Sequence, residues 1–197
     1  MSKRLFDFLF SFIGLLFLSP VFVITALMIK LDSKGPVFYK GERVGKNNKI
    51  FKMYKFRTMI PDADQVGGPS TAGDDPRLTR LSGFLKKYQL DELPQLINVF
   101  KGEMSLVGPR PEVKMYVDLL SEEDRNLIFS VKPGMTDFAS LWNFHEGDLL
   151  KGSEDPERDY LEKIRPKKIE LQKKYARERN LWVDFKIILK TISKIFK

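Results

Sequence analysis

The sequence predicts an α+β fold that is mostly helical: an N-terminal re-entrant or kinked membrane helix–break–helix, a β-hairpin, and amphipathic interfacial helices around a small globular domain. Three observations predict it. Leu9 to Ile29 carries no charged residue and is interrupted at its middle by Ser19-Pro20. Pro36 to Met59 reads as two runs about a turn-prone Gly45-Lys46-Asn47-Asn48, the second alternating apolar and basic residues. From Pro76 onward, apolar residues recur at helical spacing in lysine-rich segments.

The first element is the apolar stretch. Its length is near the roughly 20 residues that cross a bilayer as one helix. Pro20 removes a helix hydrogen bond and crowds the preceding turn, and Ser19 is placed to satisfy backbone groups freed by the break. Cations flank both ends, Lys3 and Arg4 before, Lys30, Lys34, Lys40 and Arg43 after. Two topologies satisfy these features. If both flanks stay cytosolic, each half reaches about half of the hydrocarbon thickness and the segment enters and leaves one leaflet. A kinked spanning helix is the other, since membranes tolerate proline. Asp7 favours the first, as an acid near the entry point able to pair with Lys3 or Arg4. A cleaved secretory signal is not expected, because the apolar run is too long and no small-x-small site follows.

The hairpin follows, and then a polar loop from Pro61 to Asp75 containing Gly67-Gly68-Pro69, read as a connector with the composition of a lid. Pro76 to Tyr88 is expected as a basic amphipathic helix, Leu90 to Phe100 as the next helix closed by Lys101-Gly102, and Glu112–Leu120 and Glu122–Phe129 as two more. Lys132-Pro133-Gly134 marks a turn, Leu141 to Asp155 an irregular stretch with Trp142, Phe144 and His145, and Pro166–Arg179 and Leu181–Lys197 two closing helices. At 197 residues the chain holds one sizeable domain plus an appendage, here residues 1–33 as anchor and 34–197 as globular part.

Composition narrows the chemistry. There is no cysteine and one histidine, which excludes disulfides, cysteine nucleophiles, thiolate metal sites and multi-histidine metal sites. What remains is carboxylate, lysine, arginine and tyrosine chemistry, and carboxylates hold hard cations such as Mg2+ together with phosphates. The net charge of +8 favours an anionic partner: nucleic acid, anionic lipid or a phosphorylated substrate.

The residues richest in chemistry are Asp91 and Glu92, with Pro109-Arg110-Pro111 downstream. Adjacent helical carboxylates project about a quarter-turn apart, so they suit two jobs better than one shared proton. The same acids also suit a helix start that only complements the backbone dipole. Two prolines around Arg110 restrict the backbone of a cation able to clamp an anion.

The chain resembles the monotopic bacterial phosphoglycosyl transferases, the bacterial sugar transferase family, and in length its small, single-domain members. The resemblance runs through Arg4-Leu5-Phe6-Asp7, Ser19-Pro20, Gly35-Pro36-Val37-Phe38, Glu42-Arg43-Val44-Gly45 and Tyr54-Lys55-Phe56-Arg57-Thr58-Met59. It continues through Leu90-Asp91-Glu92-Leu93-Pro94-Gln95, Gly102 to Pro111 and Lys132-Pro133-Gly134, and weakens after Thr136. It implies a re-entrant anchor broken at Ser19-Pro20 and a catalytic domain on the cytoplasmic face of the bacterial inner membrane, in contact with its lipids. It implies transfer of a sugar-1-phosphate from a UDP-sugar to polyprenyl (undecaprenyl) phosphate, with release of UMP, as the first membrane step of surface glycan assembly. Downstream glycosyltransferases would extend the product, and nucleic acid is not an expected partner. By the same resemblance Asp91 is the nucleophile that becomes a phospho-sugar ester, Glu92 helps hold Mg2+, with Asp91 beside it as a metal ligand, and Lys55, Arg57, Lys86 and Arg110 contact phosphate or nucleotide. Pro109 and Pro111 frame that arginine, with a strained or cis peptide expected at one of them.

The chain departs from the family in places. Many members carry arginine five positions before the nucleophile and serine two before it, where this chain has Lys86 and Gln89. After Gly134 the family's Ile-Thr-Gly-Trp-Ala-Gln-Val-Asn-Gly-Arg becomes Met135 to Phe144, with no clear counterpart of that arginine, and a family aspartate maps to Gln172. The competing class is a membrane-attached basic module that binds anionic lipid or nucleic acid without catalysis.

Overall fold

The computed structural model describes residues 2–66, 68 and 70–195. Gly67 and Pro69 of the polar loop, and Phe196 and Lys197 of the last expected helix, lie outside the described residues. In chain order the elements are α1 (Ser2–Phe17), α2 (Ser19–Asp32), β1 (Phe38–Val44), β2 (Ile50–Phe56), α3 (Ala63–Val66), α4 (Ser82–Lys87) and a 3-10 turn (Leu90–Glu92). Then come α5 (Gln95–Lys101), β3 (Ser105–Val107), α6 (Lys114–Asp118), α7 (Glu122–Ile128), β4 (Gly134–Thr136), α8 (Phe138–Trp142) and α9 (Glu146–Leu149). The chain closes with α10 (Pro156–Asp159), a wide π turn (Tyr160–Ile164), α11 (Arg165–Glu178) and α12 (Leu181–Ile195).

The apolar stretch is two helices bent by 60°. Pro20 has no N–H to give the carbonyl of Leu16, and the Ser19 hydroxyl donates to that oxygen instead, at 2.8 Å. Among the described residues no single helix is long and apolar enough to cross a membrane. Both ends of the pair are tied to the rest of the chain. Arg4 donates to the carbonyls of Val99 and Phe100 at the end of α5, each at 2.7 Å. Phe100 stacks on Phe8 and Phe12, with ring centroids 5.0 and 6.2 Å apart. At the far end Ile29 packs with Phe56 and Leu85. Asp7 takes neither Lys3 nor Arg4. Its buried carboxylate accepts from the Ser105 hydroxyl and the Leu106 N–H, both at 3.0 Å, because β3 runs directly against α1. Lys3 instead pairs with the buried Asp184 of α12 at 2.6 Å.

β1 and β2 form the expected antiparallel hairpin, with Phe38 opposite Phe56 and Val44 opposite Ile50. Asn47 and Asn48 take left-handed backbone in its turn, at φ 56° and 59°, a conformation asparagine tolerates. A second sheet was not legible as such: β3 and β4 pair in parallel through Ser105–Gly134 and Val107–Thr136. Gly134 begins β4 where a turn was expected. A Cβ built there would stand 2.0 Å from the Gly108 nitrogen, so only glycine permits the approach.

Three expected helices are shorter, and Glu112–Leu120 keeps only α6. Over Pro76–Tyr88 only α4 is helical, because Leu78 bridges Met59 and the Thr79 N–H donates to Thr58, which pulls the first half into the hairpin's extension. Leu90–Phe100 is split. Gln89 turns the chain with φ 53°, Leu90–Glu92 make one 3-10 turn, and α5 starts only after Pro94. Every peptide bond among the described residues is trans, so the cis bond expected at Pro109 or Pro111 is not found, and no residue near them has positive φ.

Candidate active site

The 3-10 turn points Asp91 and Glu92 in different directions, about 120° apart at three residues per turn. Glu92 is held by two cations. Lys55, on the Met53 face of β2, reaches its Oε1 at 2.8 Å, and Arg110 grips the carboxylate with both terminal nitrogens, Nη1 at 2.9 Å from Oε2 and Nη2 against Oε1. Arg110 is itself anchored by backbone: its carbonyl accepts from Gln172 at 3.3 Å, and that of Pro109 accepts from Gly134 at 3.0 Å. The short parallel sheet therefore sets where the guanidinium sits.

Asp91 is as deeply placed, 6% exposed, but its carboxylate accepts no hydrogen bond from any described residue. Both acids line one open cavity of about 1440 Å3 together with Lys55, Lys86, Arg110 and Pro111. The Lys86 ammonium has no hydrogen bond or ion pair among the described residues, while its carbonyl accepts from Gln89, and burial lowers that ammonium below the ordinary lysine value, partly offset by the Asp91 charge.

The electrostatics separate the pair. Burial pushes the Asp91 carboxyl up to about 6, with the Lys55 charge working against the rise and Glu92 adding to it. Burial would raise Glu92 too, but Arg110 and Lys55 overturn it and hold that carboxyl well below the usual range. One acid is thus a fixed, saturated anion. The other is buried, unpartnered and open to the cavity.

Arg57 is not in this cluster. Although it borders the cavity, its guanidinium donates to the carbonyls of Pro36 at 2.7 Å, Ser33 at 2.9 Å and Met59 at 3.4 Å, where α2 meets the hairpin. Ser19 and Pro20 lie at the bend between α1 and α2, away from this cluster. Pro109 and Pro111 frame Arg110. His145 faces the cavity with its ring edge-on to Phe144.

Sequence reasoning missed the far wall of the cavity, where Lys168 lies between Glu112, Glu146 and Tyr160. Lys168 stands in a lysine-rich helix and looks like its solvated neighbours. The available signal was spacing: 168, 172 and 175 fall on one helical face, and all three are buried.

No group of three or more acidic or histidine side chains among the described residues is arranged to hold a metal unaided. Asp91 has free lone pairs, and Glu92 adds a second carboxylate whose oxygens are at present matched by cations. That donor set fits a hard cation shared with substrate phosphates, which commonly takes one or two protein carboxylates.

A family model described as bacterial sugar transferase matches residues 1–197. The chain is 37% identical over 195 residues to UDP-N-acetylgalactosamine-undecaprenyl-phosphate N-acetylgalactosaminephosphotransferase of Aeromonas hydrophila, covering 98% of this chain and 43% of that protein. It is 39% identical over 201 residues to UDP-glucose:undecaprenyl-phosphate glucose-1-phosphate transferase of Escherichia coli K12, covering 98% and 40%. With exopolysaccharide production protein ExoY of Sinorhizobium fredii it shares 34% identity over 209 residues, covering 98% and 85%. The chain therefore spans about two-fifths of the length of the first two relatives.

Proposed function

This chain belongs to the bacterial sugar transferase family, and from that premise we propose that it transfers a sugar-1-phosphate from a UDP-sugar to undecaprenyl phosphate through a covalent intermediate on Asp91. The observation that carries the reading is the contrast within the acidic pair: a buried, unpartnered carboxylate beside one locked by two cations. A nucleophile needs free lone pairs, and burial strips the water that would otherwise occupy them.

In the first half-reaction an Asp91 oxygen attacks the phosphorus bonded to the sugar. The bond from that phosphorus to the bridging oxygen of the diphosphate breaks, and UMP leaves with the bonding electrons. In the second, an oxygen of undecaprenyl phosphate attacks the same phosphorus and Asp91 is regenerated as a carboxylate. Lys55, Lys86 and Arg110 supply positive charge around an anion attacking an anion, and Glu92 orients Lys55 and Arg110. Asp91 and Glu92 would hold Mg2+ alongside the diphosphate, where it would neutralise developing charge on the phosphates.

A polyprenyl-linked acceptor would require the site to work at a membrane surface, and on this reading that is the cytoplasmic face of the inner membrane. A band of exposed apolar side chains on α1 and α2 supports contact with lipid, including Phe17 at 76% and Leu31 at 88% exposure.

Incubation with UDP-sugar radiolabelled in the sugar, without lipid acceptor, is the decisive test. Label is expected on the protein, stoichiometric with released UMP, chased off by undecaprenyl phosphate, and absent in Asp91→Asn. Turnover by Asp91→Asn at the wild-type rate would overturn the mechanism.

A further inference from the structure

The cavity continues past Arg110 to a second polar cluster that the chemistry above does not use. Glu146, at the start of α9, accepts from Asn143 Nδ2 on its Oε2 at 3.1 Å, and the same oxygen lies 3.5 Å from the buried ammonium of Lys168. Its other oxygen, Oε1, has no partner among the described residues. The side chain is 40% exposed, at the cavity wall. Lys168 keeps a second carboxylate besides Glu146, since the buried Glu112 also stands at 3.5 Å and the Tyr160 hydroxyl at 3.0 Å. A half-open carboxylate beside an already matched lysine, with one oxygen free, has the form of a binding group.

We propose that Glu146, with Asn143 and Lys168 behind it, binds hydroxyl groups of the donor's sugar and so selects among sugars; this rests on the transferase reading above. Charge decides the ligand class. Two carboxylates around one ammonium repel a phosphate, whereas a free carboxylate oxygen accepts hydrogen bonds from the hydroxyls of a neutral sugar. Position decides which part of the donor lies there. The Phe144 carbonyl, two residues before Glu146, accepts from the side chain of Gln89 at 3.4 Å, and Gln89 stands two residues before Asp91. Glu146 is also close enough to Arg110 for its charge to act on that guanidinium. The group next to the attacked phosphorus is the sugar; the nucleoside is one phosphate further away.

The test compares Glu146→Gln and Glu146→Ala with the wild type. UMP release is measured over a panel of UDP-sugars, including donors lacking single hydroxyls, and UMP inhibition is measured alongside. Calorimetric binding of UDP-sugar and of UMP is measured in the inactive Asp91→Asn background. For the preferred donor, Glu146→Ala is expected to raise KM at least tenfold and weaken UDP-sugar binding equally, with UMP affinity within twofold. For a donor lacking the contacted hydroxyl, wild type and variant are expected to agree within twofold. Equal weakening for UMP and UDP-sugar would place the nucleoside here and overturn the proposal. Unchanged kinetics across the panel, with Glu146→Gln folded by its thermal transition, would do the same. Active wild type with either result sinks this subsite alone. If the wild type releases no UMP from any donor and the Asp91→Asn chain binds none of them, both readings fall.

Discussion

At the scale of single residues, the site separates two acids that the chain places side by side. Glu92 is bonded by Lys55 and Arg110 and stays ionised. Asp91 receives no such bonds, and burial raises it from 3.8 to about 6. That difference is a stability cost with a definite sign. The unfolded chain loses the Asp91 proton near its ordinary value, while the folded chain keeps it until about pH 6. Native stability therefore falls as pH rises between those values and carries the full cost above them, about 3 kcal/mol. Asp91→Asn removes the cost. Thermal unfolding in detergent should show the variant equal to wild type near pH 4, with a gap opening towards pH 6 and staying constant above it. Covalent labelling of the wild type should instead rise around pH 6, where the folded carboxyl ionises, since only the carboxylate attacks. A gap already present below pH 4 would refute the assignment.

At the scale of elements, the site depends on two pieces of irregular backbone and one close contact between strands. Gly108 and Gly134 bring β3 and β4 together so tightly that a Cβ on Gly134 would overlap the Gly108 backbone, with atoms at 2.0 and 2.5 Å. The next residues are Pro109 and Arg110, whose guanidinium holds Glu92. Gly134→Ala is expected to cost about 3 kcal/mol or more, read as a lower denaturant midpoint. It should also lower labelling of Asp91 in the fraction that still folds, because Arg110 is displaced. The contact shows why some of the fold was legible and some was not. The hairpin announced itself by alternation about a turn, and the break at Pro20 by missing N–H chemistry, both local properties. The β3–β4 pair was not legible, because three-residue strands carry no periodicity and their partner is distant in the chain. The split of Leu90–Phe100 is half legible: Pro94 is visible in the sequence as a residue suited to a helix start, and α5 begins directly after it. In the site, Asp91, Glu92 and Arg110 stood out through spacing and resemblance. Arg57 looked equivalent to Lys55 by charge and strand position, and only the three carbonyls where α2 meets the hairpin separate their roles. Glu146 stayed hidden because a charged residue in a polar run gives no sign of whether it faces water or a cavity, and Lys168 was marked only by the helical spacing it shares with Gln172 and Tyr175.

At the scale of the whole molecule, the ends of the apolar helix pair limit how it can meet a bilayer. Its first two turns are bound to the globular body by the Lys3–Asp184 ion pair, by Arg4 on the carbonyls of α5, and by Asp7 on β3. Its last turn leads to Ser33, whose carbonyl accepts from Arg57 at 2.9 Å, and Ile29 is packed against Phe56 and Leu85. A helix crossing the membrane would carry one of these ends to the opposite face, about 30 Å away, and would have to break one set of contacts. The Lys3 contact is one that matters, since removing it would leave Asp184 as a fully buried carboxylate with Tyr175 as its remaining side-chain partner, and an uncompensated buried charge is destabilising. Insertion that keeps both sets intact must enter and leave by the same face, with the 60° bend at its deepest point. The absence of native cysteine makes this directly measurable. Single cysteines at Ser2 and at Lys190, both exposed in the fold, should react with an impermeant maleimide from the same side of sealed vesicles, while one at Leu16 should be shielded from both sides. Reaction of the two end positions from opposite sides would mean that the anchor spans the bilayer and that the Lys3–Asp184 contact does not exist in the membrane.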